Sequence, residues 1–179
     1  QISGSQADEF AGESAELSRV ILNFPIDEVV TDRADGKIPA SGSVTWFLRM
    51  FNAEHAETVP RDYSMVVQAV SRSWEEGDGL DMDNYSDKTR GLSGSCWVTA
   101  SEGTAWTSPG GDYHDTPVYT VSFGDKGTEK LEVDVSDIVE QWVAGTKGRY
   151  GFGVRLSSSF EAYYSSSTGA TTGSILHNT

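Results

Sequence analysis

A dense group of acidic side chains lies between Trp74 and Pro117. Ca²⁺ takes about six to eight oxygen ligands, so aspartates this close together could hold the ion. Their spacing does not match an EF-hand loop, however, and carboxylates in polar turns usually face solvent. The sequence leaves both interpretations open and favours the solvated loop. The candidate calcium ligands are Asp78, Asp81, Asp83 and Asp87.

The same segment carries large aromatic side chains, which can stack on the apolar face of a sugar ring. Side chains of this size normally bury most of their surface, so we expect the segment to fold over one end of the protein as a plug. The alternative is an exposed sugar-binding surface. Its candidate residues are Trp74, Trp97, Trp106 and Tyr113.

Support for catalysis is weaker. Glu75 or Glu76 could act as a glycosidase carboxylate, but acidic pairs are too common in this chain for pairing to be informative. The three histidines lie far apart in the sequence, and no base is marked beside Cys96, for which we expect a buried thiol. We therefore predict no catalytic residue, no resident metal and no cofactor.

Short strands separated by turn-rich stretches must position these residues. Apolar residues alternate with acidic ones at Leu131, Val133 and Val135, which is typical of a half-buried strand. The sequence predicts an all-β fold, an antiparallel β-sandwich or jelly roll with one short helix. The predicted strands are 18–24, 44–52, 63–72, 117–123, 130–135, 150–156 and 160–165, and the predicted helix is 136–144.

The predicted helix follows a strand and precedes another, and both boundaries are marked in the sequence. Ser136 is a candidate N-cap, and Gly145 ends the helical pattern. Gly151 and Gly153, in the next strand, suggest that another chain lies close. The predicted core consists of Val20, Leu22, Phe24, Phe47, Val67, Val133, Val135, Val139, Trp142, Val154 and Leu156.

Length and charge limit the possible partners. A chain of 179 residues is enough for one sizeable core, which we place at 18–165. The net charge of −14 with only 13 Lys and Arg argues against nucleic acid, and no apolar run is long enough to predict a membrane partner. The polar ends, 1–17 and 166–179, gain little by folding alone, so we expect them to be ordered only against neighbouring chains.

Several motifs resemble those of DNRLRE-type domains, which are β-sandwich modules of surface and virion proteins. The central one is V-D-V-S, then V-x-x-W-x-x-G and G-x-G-V-x-L, at 133–156. SRVILNF, TWFLRMFNA, VVQAVSRSWEEGDG and GGDY fit the same order, and the resemblance covers 18–165. The chain is most similar to structural proteins of marine tailed phages. Such domains usually have a further strand before SRVILNF and a strand-rich tail, so the chain could be a fragment of a longer product.

This resemblance implies a non-enzymatic virion structural protein, such as a decoration, neck, tail or fibre component. Its partners would be other virion proteins and copies of itself. It would be assembled in the host cytoplasm and lie on the surface of the extracellular particle. The alternative is a carbohydrate-binding module of an adhesin or a secreted enzyme, with host-surface glycans as partners.

The acidic loop yields a first test. Excess chelator should leave the melting temperature unchanged, because solvated carboxylates contribute no ion-linked stability. Thermal unfolding followed by circular dichroism, with and without calcium, measures this. A drop of several degrees that calcium reverses, and that Asp81→Ala abolishes, would instead identify a metal-stabilised loop.

Overall fold

The structure, a computed structural model, describes the backbone of residues 2–7, 14–53, 62–77, 82–83, 86–87, 94–124, 129–161, 163–165 and 170–172. Side chains are described for residues 18–53, 62–77, 94–124 and 129–161. All strand pairs in these parts of the chain are antiparallel, which confirms the predicted all-β fold. No described helix is long and apolar enough to cross a membrane.

The described elements begin with β1 (Ile2–Ala7), β2 (Ser14–Leu22), α1 (Ile26–Ala34), β3 (Phe47–Met50) and β4 (Tyr63–Val70). Four short strands follow, β5 (Met82–Asp83), β6 (Ser86–Asp87), β7 (Thr99–Ser101) and β8 (Thr104–Ala105). The remainder are β9 (Tyr113–Phe123), β10 (Leu131–Asp134), α2 (Ser136–Val143), β11 (Phe152–Leu156), β12 (Tyr163–Ser165) and β13 (Ala170–Thr172).

A five-stranded main sheet has the order β1-β2-β11-β4-β9. Strand β11 lies at its centre. Gly153 belongs to this strand and Gly151 lies just before it, and neither position has room for a side chain. A Cβ atom on Gly151 would lie 1.8 Å from the carbonyl oxygen of Leu22, and one on Gly153 would lie 2.1 Å from the Tyr113 ring. The atoms that crowd the two glycines belong to this same chain, so the prediction of another chain close to them stays a prediction.

A second layer covers the inner face of the main sheet. It consists of the β3–β10 ribbon together with α1 and α2, and the apolar core lies between the two layers. Trp142 of α2 is fully buried there, with its ring centroid 4.7 Å from that of Phe152 on β11. The arrangement is consistent with a β-sandwich in which helices complete one layer.

A smaller core lies on the outer face of the main sheet. Ile21 and Val70, on β2 and β4, pack there against Ala100 and Trp106. Trp74 packs against the same cluster. The described parts of the segment between Trp74 and Pro117 thus cover the sheet, as the aromatic content of the segment predicts.

The prediction of a single helix is wrong. Helix α2 is present, but α1 is a second helix that the sequence analysis does not assign. Its signals are weak but visible. Pro25 lies immediately before the helix, Asp27 and Glu28 lie in the first turn, and Arg33 lies in the last. Acidic residues at the start and basic residues at the end of a helix complement its dipole.

Ser136 does not cap α2, because its hydroxyl oxygen accepts the backbone N–H of Trp46 at 2.9 Å. The predicted N-cap is therefore wrong. The serine instead fixes the start of β3 against the start of α2. The backbone N–H of Ser136 itself donates to the Asp134 carboxylate, also at 2.9 Å.

Two predicted core residues lie at the surface: Phe24 is 41% exposed and Phe47 is 48% exposed. On β3 the buried residue is Leu48, one position further along. Successive strand residues point to opposite faces, so a one-residue error in the alternation exchanges inside and outside. Val20, Leu22 and Leu156 are half-buried. The other predicted core residues, Val67, Val133, Val135, Val139, Trp142 and Val154, are buried as expected.

Trp142 allows a direct test of this core. Trp142→Ala should lower the free energy of unfolding by about 3 to 5 kcal/mol, because it leaves a large cavity among buried side chains. Trp142→Phe should cost clearly less, since the indole N–H has no hydrogen-bond partner among the described residues. Urea denaturation measures both, with Val98→Ala as a control at an exposed apolar position. Wild-type stability of Trp142→Ala would contradict a central role for α2.

Candidate functional site

An apolar groove of about 860 Å³ opens between α1 and β3. Its floor is the main core, where the buried residues Trp142, Phe152 and Val139 lie beneath the groove. The walls come from the first two turns of α1 and from the whole of β3. The second layer of the sandwich therefore has an opening above the core.

Three phenylalanines line this groove while remaining open to solvent. Phe24 is 41%, Phe47 is 48% and Phe51 is 67% exposed. Cations shield part of this surface, because Arg49 lies over the Phe47 ring and Lys130 lies over the Phe51 ring. Contiguous exposed apolar surface of this kind marks interaction sites on soluble domains.

Strand β3 borders the groove with one open edge. It pairs with β10 on one side, and no strand in the described parts of the chain pairs with its other side. An open edge offers backbone N–H and C=O groups to an added strand. The groove and the open edge thus adjoin each other along Phe47–Met50.

Glu140 of α2 connects both walls of the groove. Its carboxylate accepts two hydrogen bonds from the Arg33 guanidinium, at 2.6 and 2.8 Å, and Arg33 belongs to α1. The same carboxylate accepts the indole N–H of Trp46, immediately before β3, at 3.0 Å. These contacts, led by Arg33, lower the pKa of Glu140 from 4.5 to about 2. One ionised side chain therefore links the last turn of α1 to the residue before β3.

A polar pocket of about 700 Å³ lies on the other side of the main sheet. Gln68 of β4, Tyr113 of β9 and Arg155 of β11 form its base, and residues 107–112 form its rim. It shares no lining residue with the apolar groove. The two sites are therefore separate.

Arg155 is held in position at the base of the pocket. Its Nη2 donates to Gln68 Oε1 at 2.5 Å, and its guanidinium lies 5.7 Å from the centre of the Tyr113 ring. Burial, together with the charge of Arg19, lowers the pKa of Arg155. Among the described residues, no carboxylate forms an ion pair with Arg155. The nearby Glu161 is bound by Arg19 instead.

Arg19 does not line the pocket, but it binds the turn at Gly110, next to the lining residue Gly111. Two of its nitrogens donate to Glu161 at 2.7 Å, and a third donates to the Gly110 carbonyl at 2.9 Å. Its guanidinium also lies 4.9 Å from the centre of the Trp97 ring. Tyr113 donates its hydroxyl hydrogen to the same Gly110 carbonyl at 2.8 Å. The turn at Gly110 is thereby attached to the sheet.

Asp112 shapes the rim of the pocket. Its carboxylate accepts the backbone N–H groups of Thr107 and Ser108 and a hydrogen bond from Arg72. These bonds outweigh the effect of burial and lower the pKa of Asp112. Hydrogen bonds to Asp112 thus hold the turn together, and Arg72 compensates the negative charge of Asp112.

The four aromatic candidates for sugar binding differ in their burial and contacts. Trp106 is only 5% exposed, and its N–H donates to the Cys96 carbonyl, so its ring belongs to the core and cannot stack on a sugar in this arrangement. Trp74 is half-buried and donates to the Tyr150 carbonyl at 2.8 Å. Trp97 is half-buried beneath Arg19. Tyr113 is the candidate that lines the polar pocket.

The structure describes only some of the carboxylate candidates. Asp78 and Asp81 lie outside the described residues, and the side chains of Asp83 and Asp87 are likewise outside them. Glu75 and Glu76 are exposed in the loop after β4. Among the described residues there is no group of His, Cys, Asp and Glu that could hold a metal ion. Cys96 is a buried thiol, as predicted.

Sequence analysis does not identify Arg155 or Gln68 as site residues. A signal was available in VVQAV, where a glutamine interrupts an apolar run, because a buried polar side chain requires a partner. That partner is Arg155, 87 positions away in the sequence. Only the pairing of β4 with β11 brings the two together.

Comparison of the chain with protein-family models, with curated proteins and with solved structures finds no match. The resemblance to DNRLRE-type domains therefore stays a prediction from the motifs.

The link through Glu140 predicts an acid-sensitive structure. The pKa of Glu140 is lower in the folded protein than its ordinary 4.5. Ionised Glu140 therefore contributes its full stabilisation of the folded state above about pH 4.5, and this contribution is lost as pH falls toward 2. Glu140→Gln should therefore be less stable than wild type at neutral pH, and the difference should shrink at about pH 3. Urea unfolding at both pH values measures it. A difference independent of pH would contradict the ion pair.

Proposed function

We propose that this chain is a non-enzymatic structural module that packs against other protein chains through the apolar groove. The observation that carries the proposal is the cluster of exposed Phe24, Phe47 and Phe51 around an opening into the core. Leaving such a surface in water is unfavourable, at about 25 cal/mol for each Å² of apolar area. Burial against a partner removes that penalty.

The partner we propose for the groove is an extended segment of a neighbouring protein chain. Such a segment can add to the open edge of β3 through backbone hydrogen bonds. Because strand side chains alternate, every second residue of the segment would then point into the groove, where apolar side chains fit best. The backbone pairing would supply affinity, and the shape of the groove would supply specificity.

We propose a phage particle as the setting, with the chain as a decoration, neck, tail or fibre component on its surface. The motifs that resemble those of DNRLRE-type domains support this, and the net charge of −14 with only 13 Lys and Arg argues against nucleic acid as the partner. Other virion proteins and copies of this chain are the proposed partners. Portal, capsid or tail genes next to its gene would support the setting, whereas a polysaccharide-degradation cluster would oppose it.

The groove can be tested without disturbing the core. Phe47→Ser combined with Phe51→Ser should weaken association with co-expressed neighbouring gene products at least about tenfold, because both residues lose their contact surface. The free energy of unfolding should change by less than about 1 kcal/mol, since both side chains are exposed. Sedimentation velocity and urea denaturation provide the two measurements.

Val98→Ser is the matched control, because Val98 is 53% exposed and does not line the groove. Its association should equal that of wild type. A photo-crosslinking residue at position 51 should capture a partner chain, and the same residue at position 98 should not. Normal assembly of the double phenylalanine variant would overturn the proposal.

A further inference from the structure

The polar pocket on the outer face of the main sheet has no role in packing through the groove. It has the volume of a small-molecule site, about 700 Å³, and contains two guanidinium groups, those of Arg72 and Arg155. Two aspartates, Asp112 and Asp115, also line the pocket, so the question is which of the arginines is already paired. The two arginines differ in what already binds them.

Arg72 is occupied. It donates to the Asp112 carboxylate and to the Ala105 carbonyl, and so belongs to the rim of the pocket. Arg155 donates to a neutral amide oxygen and, at 3.4 Å, to the carbonyl of Leu156. Among the described residues no carboxylate pairs with Arg155. It is a positioned, partly buried cation that retains capacity to bind an anion.

The neighbours of Arg155 keep this charge available. Glu161 is close enough to influence its pKa, but both oxygens of Glu161 accept hydrogen bonds from Arg19. Gln68 holds the guanidinium from one side, and the Tyr113 ring faces it from another. Preorganisation of this kind lowers the entropy lost when a ligand binds.

The rest of the lining suits hydroxyl groups. Ser71 and Ser108 contribute hydroxyl groups that can donate or accept, and Asp115 contributes an exposed carboxylate, whereas the side chain of Thr107 already bonds Asp112. The Tyr113 ring supplies an apolar part of the wall. A ligand with one carboxylate, several hydroxyls and a compact ring would match all three kinds of group.

We infer that this pocket binds an acidic sugar of the uronic acid class, with the sugar carboxylate on Arg155. The planar guanidinium and a carboxylate form short, charge-assisted hydrogen bonds, which are the strongest contacts available here. Hydroxyls of the sugar would bond to Asp115 and to the hydroxyl groups of the rim. This binding is additional to the packing function and uses none of its residues.

The test is a binding titration of the wild-type chain by calorimetry. Glucuronate and galacturonate oligomers are compared with their methyl esters, which keep every atom of the ring and lose the charge. We expect saturable binding of an acid and at least about tenfold weaker binding of its ester. Arg155→Gln should weaken acid binding by about 10- to 100-fold and leave the ester unchanged, because only a charge-assisted pair is lost.

Lys37→Gln is the control for overall charge, since Lys37 is 63% exposed and lines neither site. It should bind the acid as wild type does. Acetate and a short peptide with a free C-terminal carboxylate should bind much more weakly than the uronate. Equal binding of acid and ester, of acetate and uronate, or of wild type and Arg155→Gln would overturn the inference.

A measurement on the unmodified chain covers the case in which Arg155→Gln fails to fold. Backbone amide resonances of Ser71, Ser108 and Gly111 should shift during titration with the uronate, while those of Phe47 and Phe51 should stay in place. Absence of any saturable shift, or shifts confined to the groove, would overturn the inference. Because the groove experiments use different residues, either result can fail without the other.

Discussion

The second layer of this protein depends on the carboxylate of Glu140. It receives both Arg33 nitrogens from α1 and the indole N–H of Trp46 from the start of β3, so three elements meet at one ionised group. An ionised carboxylate with several donors is well satisfied, whereas removal of the carboxylate would leave the guanidinium without its partner. The groove exists because this contact holds α1 and β3 while no described element fills the space between them.

The two faces of the main sheet are used differently. The inner face carries the apolar core and is covered by helices and the β3–β10 ribbon. The outer face is divided between an apolar cluster around Trp106 and the polar pocket around Arg155. Gly153 makes this division possible, because any side chain there would collide with the Tyr113 ring that forms a wall of the pocket.

Basic residues are few in this chain, and several sit in structural ion pairs. Arg19 with Glu161 fixes the turn at Gly110, and Arg33 with Glu140 fixes the groove. Each pair joins segments more than 100 positions apart, so each closes a long loop as well as balancing charge. Arg155 departs from this pattern, since its described partners are neutral, and it is this difference that makes the outer face a candidate ligand site.

Local sequence patterns are sufficient to predict the unit from β10 to β11. Alternating apolar residues bury Leu131 and Val133, and the helical spacing of α2 places Trp142 in the core. These patterns are local, and local spacing fixes which side of an element is apolar. Residue spacing does not predict whether Phe47 or Leu48 faces inward, nor which strands lie side by side. Both depend on contacts between distant segments of the fold. Gln68 and Arg155 meet only because β11 inserts between β2 and β4, a non-local pairing that no single segment encodes.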